Sequence, residues 1–263
     1  MNSKNKNIKI YISTFGRKVL RLKNSYPVEV GADIRNNYIY ELKDNTGDNI
    51  SLQNPYYGEL TGLYWIWKNE KFNEDDIIGY CHYNKAIGIT NREIKKFLNS
   101  NNNGWIVTHK FLIPKHPRKA QILALEKVLS TMYEKKYYDT WKLLYDEDGA
   151  SKIGMNPAQL FITTYGEFDK YCSFLFSVLE SVRCILGDVE DVPYYKRYCA
   201  FIGERLLTTY ILANKREVLE KNTRYAGIIY NTIKVFTRKL KWIKKTRIYA
   251  KLKKLWGYKS SYK

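Results

Sequence analysis

Ile8-Lys9-Ile10-Tyr11-Ile12-Ser13-Thr14 and Asp76-Ile77-Ile78-Gly79-Tyr80-Cys81-His82-Tyr83 decide the fold of this chain. The first stretch alternates apolar with polar residues and is rich in β-branched side chains, which predicts a strand. The second is an apolar run that ends in polar residues, the pattern of a buried strand. Between them, Asn54-Pro55 offers an N-cap followed by a proline at the first helical position. Leu60, Leu63, Tyr64 and Trp67 then recur at 3–4 spacing and predict an amphipathic helix. Working outward, Trp105-Ile106-Val107-Thr108 predicts a short strand, and 120–145 has helical periodicity with a break near Lys135. Residues 160–163 predict another strand. Thr164-Tyr165-Gly166-Glu167 then has capping-box form and opens a helix that is apolar at Phe168, Tyr171, Leu175, Val178, Leu179 and Val182. A last helix is expected from Gly203 through Ile211. Strands separated by helices imply an α/β fold, a mostly parallel sheet with helices on both faces.

The chain has 263 residues, enough for one sizeable α/β domain with an appendage. Its 44% hydrophobic content supplies a real core and excludes disorder and collagen-like repeats. Cys81, Cys172, Cys184 and Cys199 form no C-x-x-C pair and are too sparse for a disulfide scaffold, so a reducing cytoplasm is expected. Lys9 interrupts the only apolar run near the start, so no signal peptide is expected there. No window approaches the length of charge-free apolar sequence that a membrane span requires.

Charge is unevenly placed. Residues 221–263 hold 14 Lys and Arg and no acid, leaving only +5 of the +19 net charge to the rest. The expected division is therefore a body over 1–220 and a basic tail over 221–263. In the tail, Ile229, Ile233, Phe236, Leu240 and Ile243 step by 4, 3, 4 and 3, beside Lys234, Arg238, Lys241, Lys244 and Lys245, with Trp242 at the boundary. That pattern predicts an amphipathic helix lying on an anionic membrane surface. A helix packed on the body with a solvated basic face and a nucleic-acid-binding tail are the alternatives; the body's modest charge argues against the last.

No P-loop, G-x-G-x-x-G, G-x-S-x-G or H-E-x-x-H is present. His82, His109 and His116 lack zinc-ligand spacing with the cysteines. What remains are polar clusters at predicted strand and helix ends, where open α/β sheets bind ligands. Asp44-Asn45-Thr46-Gly47-Asp48-Asn49 reads as a turn, and Cys81-His82-Tyr83-Asn84-Lys85 follows a buried strand. Gly203-Glu204-Arg205 sits at an expected helix start, where the dipole favours an ionised acid and hence a general base. Asp146-Glu147-Asp148 is a literal D-x-D, but it follows a helical segment and reads as a solvated loop.

Several blocks carry a resemblance. Asp44 to Ser51, Asn54-Pro55, Glu59-Leu60-Thr61 with Leu63-Tyr64-Trp65 and Trp67-Lys68-Asn69, Ile78 to Tyr83, and Phe201 to Leu207 together resemble the bacterial capsular and exopolysaccharide glycosyltransferases long labelled as a domain of unknown function. Some of these are galactofuranosyltransferases. The resemblance covers about 8–215. It implies a GT-A-like, Rossmann-type fold and transfer from a UDP-sugar to a growing polysaccharide unit; taken with the basic tail, the expected acceptor is a lipid-linked glycan at the inner face of the cell membrane. By position, Thr14 would lie near the nucleotide, Asp44 and Asp48 would shape the donor pocket, and His82 with Tyr83 would occupy the strand end where a metal-binding D-x-D usually sits. Glu204 would be the base, and Arg197 and Arg205 would hold the diphosphate. Phe15 stands where the family commonly has histidine, and Asn84-Lys85 stand where it has two arginines. Lysine does not replace an arginine fork on a diphosphate. The residues leave a divalent metal open without favouring it. A non-catalytic scaffold of the same fold is the rival reading.

Overall fold

In a computed structural model of the chain, the described residues are 6–156, 158–187 and 192–225. They form eight strands: β1 (Ile8–Thr14), β2 (Ser25–Glu29), β3 (Ile77–His82), β4 (Lys85–Ile87), β5 (Trp105–Thr108), β6 (Phe161–Thr164), β7 (Val218–Lys221) and β8 (Thr223–Tyr225). The helices are α1 (Asn54–Tyr57), α2 (Leu60–Asn69), α3 (Asn91–Ser100), α4 (Lys119–Met132), α5 (Lys135–Leu144), α6 (Tyr165–Leu186), α7 (Pro193–Lys196) and α8 (Tyr198–Ala213). The main path of the sheet runs β2-β1-β3-β6-β5-β7. β1 pairs parallel with β2 and β3, and β5 pairs parallel with β7; β6 is antiparallel to both β3 and β5. Five of these six strands therefore point one way, as expected, with β6 reversed among them.

Period-2 alternation sorts the strand side chains into two cores. Tyr11, Ile78, Tyr80, Trp105, Val107 and Phe161 face a large helical layer to which α2, α4, α5, α6 and α8 contribute. Ile8, Ile10, Ile12, Ile77, Cys81, Ile106 and Ile162 face a smaller layer that includes Ile94 and Leu98 of α3. Burial of β1 and β3 on both faces, all but Lys9 and His82 being buried, fixes their register, because a one-residue slip would exchange the two cores.

Local details depart from expectation in four places. Asn54 lies inside the one-turn α1 and its side chain does not cap; it donates to Gly58 O at 2.7 Å and Thr61 Oγ1 at 3.0 Å. The expected capping box at 164–167 does not form. Thr164 Oγ1 donates instead to Asn102 O at 3.0 Å, and Glu167 lies 2.8 Å from Arg216 Nε. A true capping box sits at Thr90 and Glu93, opening α3. α8 starts at Tyr198 rather than near Gly203. β7 and β8 carry the sheet to Tyr225, five residues past the expected body boundary. The rest of the basic stretch, with Lys234, Arg238, Lys241, Trp242, Lys244 and Lys245, lies outside the described residues. Among the described residues all four cysteines are free, and no helix is long and apolar enough to cross a membrane.

Candidate active site

β1 and β3 end together, Ser13 beside His82, and the chain turns at once into the hairpin that pairs His82 with Lys85. α8 passes this edge through Gly203 and Glu204, and the start of α2 brings Glu59. Two glycines make the approach possible. Gly58 has a left-handed φ of 55°, and a Cβ there would sit 2.8 Å from Arg197 Nη2. At Gly203 a Cβ would sit 2.8 Å from Leu60, so glycine lets α8 meet α2. Ala158 and Gln159, both with positive φ, form the facing wall. A non-glycine pair in this region is strained, and the surroundings must hold it. Gln159 is fully buried; its amide donates to Gly203 O and accepts from Tyr171 Oη at 2.8 Å.

Inside this frame Glu59 is the hub. Its Oε1 lies 3.8 Å from His82 Nε2, and its Oε2 lies 3.5 Å from Arg197 Nη2. His82 bonds the Ala158 backbone, while its buried Nε2 has no hydrogen-bond partner among the described residues. Burial holds the imidazole down at about 4 against the opposing pull of Glu59, so it is neutral at pH 7. Glu204 is pushed up to about 7, first by burial and then by the Glu59 charge, with Lys85, Arg205 and Arg197 opposing. Glu204 is the seventh residue of α8, so the expected helix-start placement is corrected: burial and a like charge, not the dipole, set its proton affinity. A carboxyl poised near neutrality beside two cations is the equipment of a general base next to an anionic leaving group.

A second group borders this edge. Thr14 Oγ1 donates to Arg17 O at 2.7 Å and accepts from Arg17 N at 3.0 Å. Arg17 Nη1 donates to Tyr83 Oη at 3.0 Å. Arg35 pairs with buried Glu29 at 3.2 Å and lies 5.7 Å from the Phe15 ring centre. Arg17, over the Tyr83 ring, suits a nucleotide's charge and rings, whereas Arg35 gives its donors to Glu29, Val30 O and Asn37 O and holds the loop.

The remaining sequence-predicted residues are held elsewhere. Asp44 is fully buried and accepts from Gly31 N, Ala32 N and Ser51 Oγ at 2.8, 2.9 and 2.6 Å. It shapes the loop after β2 from inside. Asp48 is exposed and accepts from Tyr64 Oη at 3.0 Å. Arg205 is 3% exposed and gives its guanidinium nitrogens to Gly149 O, Phe201 O and Pro114 O at 2.8–2.9 Å. Its donors serve the fold. Asp146 Oδ1 accepts from Asp148 N and Ala150 N, both at 2.9 Å, closing a turn tethered by Lys119 to Glu147 at 2.9 Å. Among the described residues, no group of three or more His, Cys, Asp or Glu is placed to hold a metal ion. Sequence reading missed Glu59, Arg17, Arg35 and Gln159 as site residues. The one local signal for Glu59 was the glycine before it.

Residues 9–215 match the family described as Domain of unknown function (DUF4422). The chain belongs to the DUF4422 family. No curated protein matches it. Among solved structures, its fold is that of the bifunctional glycosyltransferase WbbM, an apo structure, with a TM-score of 0.70 and 22% identity over 84% of this chain. The match covers 45% of the WbbM chain, so this chain corresponds to less than half of that protein's length. The DUF4422 region holds the whole edge described above, from Thr14 to Glu204.

Proposed function

We propose that this DUF4422 chain is a glycosyltransferase. It moves a sugar, galactofuranose in one form of the proposal, from a UDP-sugar to a lipid-linked glycan acceptor in capsule or exopolysaccharide synthesis. It works at the inner, anionic face of the cell membrane, where the basic tail over 221–263 holds it. The observation that carries the reading is Glu204, a carboxyl raised to about 7 at the carboxyl edge of a parallel sheet, with Lys85 and Arg197 beside it. In the mechanism, Glu204 takes the proton of an acceptor hydroxyl. That oxygen bonds to the anomeric carbon as the bond to the β-phosphate oxygen breaks, and UDP leaves with the electron pair and the configuration inverts. Lys85 and Arg197 receive the growing diphosphate charge. Neutral His82 stays a hydrogen-bonding group that adds no charge of its own at this edge. Thr14, Tyr83 and Arg17 beside them border the nucleotide, with Asp44 and Asp48 supporting the loops that follow.

A screen of nucleotide-sugars read by UDP release tests this. Turnover with one UDP-sugar is expected, lost by about 10²-fold or more in Glu204→Gln, retained after chelation, and giving an inverted anomer. UDP binding without turnover on any donor and acceptor overturns the enzyme reading in favour of a scaffold. A retained anomer removes Glu204 from the base role, and rescue by Mn²⁺ after chelation returns a metal to the mechanism.

A further inference from the structure

Beyond β5 the chain does not return directly into the sheet. Residues 109–115 run out from the carboxyl edge and come back as 151–155, with Phe111 and Met155 exchanging both backbone hydrogen bonds at 2.9 Å. Ser151 ties the ribbon again, its N donating to Ile113 O at 3.0 Å and its Oγ accepting from Ile113 N at 2.7 Å. The ribbon is anchored from within by buried Ile113 and Met155. Its outward residues are large and apolar: Phe111 is 48% exposed, Leu112 67% and Ile153 49%. Single exposed hydrophobics are ordinary, but three on one paired ribbon form a patch that needs a partner.

The partner's chemistry follows from what flanks the patch. Lys110, Lys115 and Lys152 are all exposed on the same two arms. The ribbon's root is joined to the last described strands: His109 N donates to Lys221 O at 3.1 Å, and Lys110 Nζ lies 3.3 Å from Glu220. A few residues later the sequence enters 226–263, which carries twelve Lys and Arg and no acid. β8, the last strand before it, ends at Tyr225 opposite Lys85, on this same edge. Apolar side chains on arms that also carry exposed lysines, next to the start of a strongly basic segment, match the acyl boundary and headgroups of an anionic bilayer.

We infer that the 109–115/151–155 ribbon inserts Phe111, Leu112 and Ile153 into an anionic membrane surface, so that the carboxyl edge of the sheet, with Glu204 and His82, faces the lipid. The inference rests on the membrane half of the proposed function and is independent of the transfer chemistry. The full chain with Cys184→Ser, which leaves only buried cysteines, is labelled with an environment-sensitive fluorophore at Leu112→Cys or, on the opposite edge, at Glu74→Cys. Each protein is mixed with phosphatidylglycerol–phosphatidylcholine vesicles. The label at 112 is expected to shift to the blue and be quenched by brominated acyl chains, while the label at 74 stays aqueous. Phe111→Ser with Ile153→Ser should lower vesicle partitioning about tenfold with the tail intact. Vesicle binding with the 112 label still aqueous overturns the inference and leaves the tail reading standing. No binding at all overturns both. A blue shift that appears without vesicles as protein concentration rises assigns the ribbon to a second copy of the chain instead.

Discussion

Glu204 and Arg205 are neighbours on α8 and live in opposite worlds. Arg205 turns to three backbone carbonyls, one for each nitrogen of its guanidinium. Glu29 and Asp44 are held the same way, each a buried carboxylate saturated by backbone donors and a side-chain partner. On the other side of the helix, Glu204 senses another acid, Glu59, and His82 Nε2 is buried with no hydrogen bond among the described residues. Saturated buried charge is architecture, since its desolvation is offset where it stands. An under-satisfied buried polar group costs free energy, and in a cleft it marks a candidate ligand site.

The strongest way to break this contrast is at Arg205. Arg205→Ala takes the side-chain donor from three inward carbonyls, two of them, Gly149 O and Pro114 O, outside any helix, and should cost about 3–5 kcal/mol, read by chemical denaturation. A loss under about 1 kcal/mol would mean that water replaces the guanidinium and that Arg205 is not architectural.

Next in size is the pH dependence of the two site groups, whose signs oppose. From pH 4.5 to about 7 folded Glu204 keeps a proton that the unfolded chain has released, so its contribution is favourable in acid and is lost as pH rises. Relative to the parent, Glu204→Gln should gain stability with rising pH over that window, by roughly 3 kcal/mol at most. His82 runs the other way. Between 6.5 and about 4 the unfolded chain takes up a proton that folded His82 refuses, so stability is lost as pH falls. His82→Asn should lose stability relative to the parent as pH rises through that range. Parallel stability curves for parent and both variants would show that neither group is perturbed.

A smaller effect sharpens the role of Glu59. Glu59→Gln removes the like charge and should bring the Glu204 titration down toward the ordinary carboxylate range, seen by carbon NMR of the labelled carboxyl. An upward move would mean that losing the Arg197 contact rearranges the edge. The smallest effect belongs to Asp48→Asn, which keeps an acceptor for Tyr64 and should change stability by no more than about 0.5 kcal/mol; thermal melts decide it.

What the sequence made legible was what burial writes into it. β1, β3, β5 and β6 carry hydrophobic signals because both sheet faces are covered, and α6 carries a long apolar stripe. The strands that escaped reading are partly solvated and short. β2 contains Pro27, tolerated because β2 is the edge strand of the main path and β1 is the only named strand beside it. β4 has three residues, and β7, Val218-Leu219-Glu220-Lys221, is intermediate in burial throughout. Their strand character comes from partners distant in sequence. α3 was legible after all: Thr90 and Glu93 precede Ile94 and Leu98 as a capping box should, but its many polar residues masked the apolar pair. At the site, His82 and Glu204 were reached by reading strand ends, helix starts and family likeness. Glu59 lay inside a block quoted for the family likeness and followed a glycine, but its place facing another acid became visible only when α2 met β3 and α8.

β7 and β8 also impose an order of events on synthesis. Trp105 pairs with Val218 and Lys85 with Tyr225, so the outer edges of β5 and β4 have no strand beside them until nearly the last described residues are made. Contacts so distant along the chain are costly to close and slow to form. A nascent chain that has emerged as far as α8 would already hold Glu59, His82 and Glu204, but its hairpin at Lys85 would present an open edge, prone to pairing with other chains. Completion of the sheet and protection from aggregation are thus one late step, the docking of residues 218–225.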